Sequence, residues 1–102
     1  MIVAASINKN HTCIPFESAD LFGVYEISEK ADISQVEMID VSKCVRCKSS
    51  FVPTLADFNV DIFFTEKVES GAKFILHSYG IKVVENSKGV IQDVLKNYFS
   101  GK

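Results

Sequence analysis

The sequence lacks the features that mark secreted and membrane-spanning proteins. Its three cysteines are an odd number, which does not suit a secreted disulfide framework. No apolar run approaches the roughly 20 residues that a membrane span requires. The first residues also lack the basic segment that begins a signal peptide. We therefore expect a cytoplasmic protein with no membrane partner, whose thiols are free, metal-bound or redox-active.

An excess of positive charge is absent as well. The chain has 11 Lys and Arg against 13 Asp and Glu, which gives a formal net charge of −2. The cations are dispersed apart from a short cluster at 43–48, so we expect no nucleic-acid partner. The first predicted strand contains no acidic residue, and the chain has no phosphate-binding glycine loop or hydrolase elbow. These absences indicate a protein that is not an enzyme.

The chain is rich in the residues that build a sheet. Val, Ile, Leu and Phe number 12, 10, 4 and 8, about a third of all 102 residues, which excludes a disordered chain. Val and Ile far outnumber Leu, which favours a sheet over a helical bundle. The length fits a single domain over 1–102.

Apolar patterning predicts the element order β-β-β-α-β-α-β-α. The predicted strands are 2–7, 22–28, 33–41, 60–65 and 81–84, and the predicted helices lie within 51–58, 68–79 and 90–98. Gly80 is expected to end the second helix, and His77 falls on the exposed side of that helix.

The predicted topology brings three loops to one edge of the sheet. The second strand runs antiparallel to its neighbours, and right-handed crossovers make the other strands parallel to the first. The loops 8–20, 42–50 and 65–71 then all leave the carboxyl edge, where open α/β sheets bind ligands. Cys13 lies in the first loop, and Cys44 and Cys47 lie in the second.

Several motifs resemble one known family over essentially the whole chain. They are the strand at 61–65 followed by Gly71-Ala72, the strand Gly80-Ile81-Lys82-Val83-Val84, and the ending Tyr98-Phe99-Ser100-Gly101. This arrangement resembles the dinitrogenase iron–molybdenum cofactor biosynthesis family, the domain of NifX-type proteins and of the C-terminus of NifB-type proteins. The resemblance implies a ribonuclease-H-like α/β fold, with a mixed five-stranded sheet covered by three helices. It also implies non-enzymatic binding or carriage of an iron–sulfur or iron–molybdenum-type cluster, with cluster-biosynthesis proteins as partners.

The sequence departs from the family pattern at two places. Where the family usually has His-Phe-Gly in the first loop, this chain has Pro15-Phe16-Glu17. The family usually has two glycines at the start of the second helix. In this chain Glu69 replaces the first of them, and only Gly71 remains. An acidic side chain at a helix N-terminus would either occupy the place of a bound anion or repel the anion.

A CxxC motif supplies the candidate metal ligands. Cys44 and Cys47 have the spacing to hold one metal, with Cys13 as a third ligand and His11 as a fourth. Three cations lie around the two thiols, two beside the motif and one within it, which favours the thiolate form and offsets the charge of an anionic cluster. The residues expected around the cofactor are Lys43, Arg46, Lys48, Thr65 and Gly71.

Other interpretations of the same residues stay open. The CxxC could bind a single metal ion such as zinc, act as a thiol–disulfide redox pair, or have no role. The chain could also be a scaffold that binds no metal and only a protein partner. An exposed edge strand in the predicted hairpin would allow a homodimer.

Overall fold

The computed structural model describes residues 1–44 and 48–100, which form a mixed α/β structure. The strands are β1 (Ile2–Ile7), β2 (Thr12–Cys13), β3 (Leu21–Ile27), β4 (Ile33–Asp40), β5 (Ile62–Phe64), β6 (Lys82–Val84) and β7 (Gly89–Val90). The helices are α1 (Val52–Asp57), α2 (Ser70–Ser78) and α3 (Ile91–Phe99). Two short 3-10 helices, Phe16–Ser18 and Lys48–Phe51, lie in the loops before β3 and α1.

Strand β1 lies at the centre of the sheet. It pairs antiparallel with β3, which pairs antiparallel with the edge strand β4. On its other side β1 pairs parallel with β5, and β5 pairs parallel with β6. The five predicted strands and their directions are therefore confirmed. The short strands β2 and β7 were not predicted; they continue the sheet beyond the end of β1, where Ile7 pairs with Cys13.

The side chains of β1 alternate between two hydrophobic cores, because successive residues of a strand point to opposite faces. Ala4 packs with residues of α1 and α2, such as Leu55 and Leu76. Val3 and Ala5 belong to a second cluster that contains residues of α3. The sheet thus has α1 and α2 on one face, called here the α2 face, and α3 on the other, called the α3 face.

The ends of the long helices follow from local chemistry. Gly80 has φ of 79° directly after α2, and its N–H donates to the carbonyl of His77 at 2.9 Å. Glycine adopts this left-handed conformation readily, so the predicted end of the helix is confirmed. Val90 was predicted to lie on the apolar face of the last helix. It instead belongs to β7, where it pairs with Thr12 of β2, and it is 44 % exposed. Within residues 1–44 and 48–100, none of the helices has the length and apolar character to cross a bilayer.

Candidate functional site

A cleft of about 460 Å³ lies at the carboxyl edge of the sheet, on the α2 face. Each of the three loops that the topology brings to this edge contributes to its walls. The lining residues are Phe16 and Glu17 from the first loop, Lys48 and Ser49 from the second, Glu69 from the third, and Gly71, Ala72 and Ile75 from α2. A ligand in this cleft would therefore contact all three loops.

The first loop is held in place by an aromatic cluster. The ring of Phe16 packs against Phe22 and Phe63, with centroid separations of 5.0 and 5.4 Å. Phe16 is buried, and its backbone N–H donates to the carbonyl of Lys67 at 2.8 Å. Apolar packing and a backbone hydrogen bond thus join the first and third loops below the cleft.

A buried pair of hydroxyl groups strengthens this junction. Ser6 at the end of β1 and Thr65 after β5 are both fully buried. Their side-chain oxygens are 2.7 Å apart, and Oγ1 of Thr65 also lies 3.0 Å from the carbonyl oxygen of Lys67 and 3.3 Å from that of Ile14. Thr65 therefore fixes the loops beneath the site and does not itself line the cleft, contrary to the sequence-based expectation.

Lys48 is the charged group that stands out in the cleft. Only 7 % of its surface is exposed, and its Nζ donates a hydrogen bond of 3.0 Å to the backbone carbonyl of Glu17. Among residues 1–44 and 48–100 it forms no salt bridge. A cation without a salt bridge attracts an anion, so Lys48 is the lining residue that favours a negatively charged ligand, whereas the carboxylates of Glu17 and Glu69 line the same cleft.

Cys13 is not at the site, and its prediction as a ligand is corrected. In β2 its side chain turns into the α3-face core, where it is 3 % exposed. Burial, and to a lesser degree the charge of Glu66, raises the pKa of the Cys13 thiol from 9.0 to about 12. A protonated thiol in a hydrophobic core is a poor metal ligand, because metals bind the thiolate.

The other predicted ligands are dispersed or fall partly outside the described residues. His11 occupies the turn between β1 and β2, where its carbonyl accepts from Ile91 N–H at the start of α3, away from the cleft. Lys43 is exposed in the turn after β4. Cys44 follows in the same loop and is disulfide-bonded. Val45, Arg46 and Cys47 lie outside the described residues. Within the described part of the chain, no three His, Cys, Asp or Glu side chains come together as a metal site.

Of the predicted cofactor-binding residues, Lys48 and Gly71 line the cleft. Glu17 was not predicted as a wall of the site. The sequence did carry a signal, because Glu17 is an acidic residue at a position where the resembled family usually has glycine. His77, expected on the exposed side of its helix, is exposed.

A second, shallower depression of about 330 Å³ lies on the α3 face, between the segment after β6 and α3. Its lining residues are Phe64, Val84, Glu85, Asn86, Ser87, Lys88, Val94, Asn97 and Tyr98. Lys88 and Asn97 are exposed there, and Tyr98 is 41 % exposed. The cleft on the α2 face is larger and holds the buried charge, and it is therefore the candidate site.

Comparison with known proteins identifies the family. The family model described as dinitrogenase iron-molybdenum cofactor matches residues 1–101. The chain belongs to this family. No curated protein matches this member of the dinitrogenase iron-molybdenum cofactor family.

Solved structures share the fold of this family member. The crystal structure of PH0822 is 23 % identical, with a TM-score of 0.80, and the match covers 98 % of this chain and 91 % of the other. The NMR structure of a Thermotoga protein of the DUF35 family is 21 % identical, with a TM-score of 0.70 and coverages of 97 % and 87 %. The apo form of the orange protein from Desulfovibrio gigas is 16 % identical, with a TM-score of 0.76 and the same coverages. At these low identities the similarity shows a common fold alone. What each protein binds depends on the residues of its own chain.

Proposed function

We propose that the chain is a non-enzymatic binding and carrier protein for an anionic iron–sulfur or iron–molybdenum-type cluster, held in the cleft on the α2 face. Membership in the dinitrogenase iron-molybdenum cofactor family supports a cluster as cargo. The apo form of the orange protein supports ligand binding within this fold. Cluster-biosynthesis proteins in the cytoplasm would be its partners. The strand order β4-β3-β1-β5-β6 supports the finer assignment to a ribonuclease-H-like fold.

The buried ammonium of Lys48 is the observation that carries this proposal. Its hydrogen bond to the Glu17 carbonyl satisfies one of three donors and supplies no negative charge. A cluster with thiolate or sulfide ligands is negatively charged and would provide the missing counter-charge. Gly71 lines the same cleft as Lys48 and leaves its own part of the wall open, since a Cβ placed on Gly71 would meet no atom within 4 Å.

The CxxC motif supplies the proposed covalent anchor. Cys44 lies four residues before Lys48, so the loop that carries the ammonium also carries a cysteine sulfur. Because Cys44 is disulfide-bonded, it could ligate a cluster only after reduction to the thiolate. We propose Cys44 and Cys47 as the cluster ligands, with Lys43 and Arg46 as electrostatic support.

Anaerobic reconstitution tests this proposal. The protein is reduced, incubated with iron and sulfide, and separated from free metal before absorbance and metal content are measured. We expect visible charge-transfer absorption that is lost in the Cys44→Ser/Cys47→Ser variant and weakened in Lys48→Met. Lys30→Met removes the same charge from an exposed turn and is expected to load normally. Loading that is equal in all four proteins would overturn the proposal.

The disulfide at Cys44 favours a second candidate function, thiol–disulfide exchange through the CxxC. Insulin-reduction activity at the level of a thioredoxin, lost on Cys44→Ser, would favour this candidate over cluster carriage. Activity at background level would leave the cluster proposal as the better account.

A further inference from the structure

Glu17 contacts two walls of the cleft at once. Its backbone carbonyl accepts the hydrogen bond from Nζ of Lys48 at 3.0 Å. Its carboxylate Oε2 accepts a hydrogen bond of 3.1 Å from the backbone N–H of Glu69, the residue immediately before α2. The Glu17 side chain therefore reaches across the cleft from the first loop to the start of the helix.

The start of α2 is a favourable place for negative charge. The first helical hydrogen bond is donated by Lys73 to the carbonyl of Glu69, so the N–H groups of Ser70, Gly71 and Ala72 have no partner within the helix. The Glu69 side chain does not cap them. These donors and the helix dipole attract an anion, and the Glu17 carboxylate already accepts a hydrogen bond from Glu69, the residue directly before them.

We infer that Glu17 sets how strongly an anion must be charged to occupy the cleft: its carboxylate is an internal anion that competes with an anionic ligand for the start of α2. This inference rests on the proposed function and names a specificity-determining residue of the same site. A monovalent anion gains little by displacing a carboxylate of equal charge. A multiply charged anion gains more, because it also neutralises Lys48. The cleft should therefore select multiply charged anions over monovalent ones.

The matched substitutions are Glu17→Gln and Glu29→Gln. Glutamine at 17 keeps an oxygen that can accept from the Glu69 N–H while removing the negative charge. Glu29 is exposed in the turn between β3 and β4, at the opposite end of the sheet, so its replacement removes the same charge far from the cleft. Urea unfolding of each variant checks that the fold is kept.

The probe is tetrathiomolybdate, a coloured dianion, with thiocyanate as the monovalent comparison; dissociation constants are measured by titration at low salt. We expect Glu17→Gln to bind the dianion about tenfold more tightly, the order of effect of one nearby like charge, with the gain shrinking as salt is added. Glu29→Gln should match the natural sequence, and thiocyanate should bind more weakly than the dianion to the natural sequence.

Two results would overturn the inference. The first is that the dianion binds the natural sequence and Lys48→Met weakens its binding, but Glu17→Gln changes the dissociation constant by less than twofold. The proposed site would then stand, and Glu17 would not compete for the start of α2. If neither the natural sequence nor Glu17→Gln binds the dianion, both the inference and anion binding in the cleft are wrong.

Discussion

Thr65→Val tests the buried junction beneath the cleft. The substitution keeps the shape of the side chain and removes the hydroxyl that lies 2.7 Å from Oγ of Ser6 and 3.0 Å from the carbonyl oxygen of Lys67. One accepted and one donated hydrogen bond are lost, each worth about 1 kcal/mol. Ser6 can still donate to the carbonyl of Ile14 at 2.7 Å, so no buried donor is left without an acceptor.

We therefore expect Thr65→Val to lower the free energy of unfolding by about 1–2 kcal/mol. For a domain of this length that corresponds to a fall in Tm of roughly 5–10 °C. Urea denaturation followed by circular dichroism measures the change. Thr54→Val makes the same chemical change at an exposed position of α1 and should stay within about 0.5 kcal/mol of the natural sequence. A cost below about 0.5 kcal/mol for Thr65→Val would refute the role given to this hydroxyl.

Three further predictions concern stability and are measured by the same urea denaturation. Tyr25→Phe should stabilise the protein by about 1 kcal/mol, because the buried Tyr25 hydroxyl has no hydrogen-bond partner among the described residues; a loss of stability would show that the hydroxyl is satisfied. Gly71→Ala should stabilise α2 by about 0.4–1 kcal/mol, since its Cβ would meet no atom within 4 Å; destabilisation would contradict that geometry. Burial raises the pKa of Cys13 from 9.0 to about 12, and burial with the nearby Cys13 raises that of Tyr25 from 10.0 to about 12. Since the unfolded chain loses these protons first, stability should be retained below pH 9 and fall between pH 9 and 12, and the fall should be smaller in Tyr25→Phe. An unchanged alkaline profile in that variant would remove Tyr25 from the explanation.

The sequence was sufficient to predict the five main strands and the edge at which the loops meet. Strands such as Ile2–Ile7 and Ile62–Phe64 are almost continuously apolar, because the sheet is covered by helices on both faces. Once their directions are fixed by hairpin and crossover rules, the positions of the loops follow. The end of α2 at Gly80 was also predictable, because the left-handed backbone conformation that ends a helix is local and favours glycine.

Side-chain placement inside the loops was not predictable. Cys13 is in a polar segment, and its burial depends on the two-residue strand β2. In this strand Cys13 pairs with Ile7, across a turn, and with Gly89, which is distant in sequence. His11 adopts φ of 62° in that turn, a conformation that nothing in its own chemistry demands. Lys48 is buried where its side chain reaches the 3-10 helix of another loop and donates to the Glu17 carbonyl. Lysine in a polar segment is usually exposed, so this burial was not predictable from the local sequence. Contacts of this range emerge from tertiary packing.

Amide NMR of the protein loaded with a paramagnetic iron–sulfur cluster tests the location of the cargo most directly. A bound cluster broadens the signals of nearby nuclei, so the broadened residues map its position. We expect the losses to centre on Glu17, Ser49, Gly71 and Ala72 around Lys48. Losses centred instead on Glu85–Lys88 and Asn97 would place the cluster in the depression on the α3 face and contradict the assignment of the cleft.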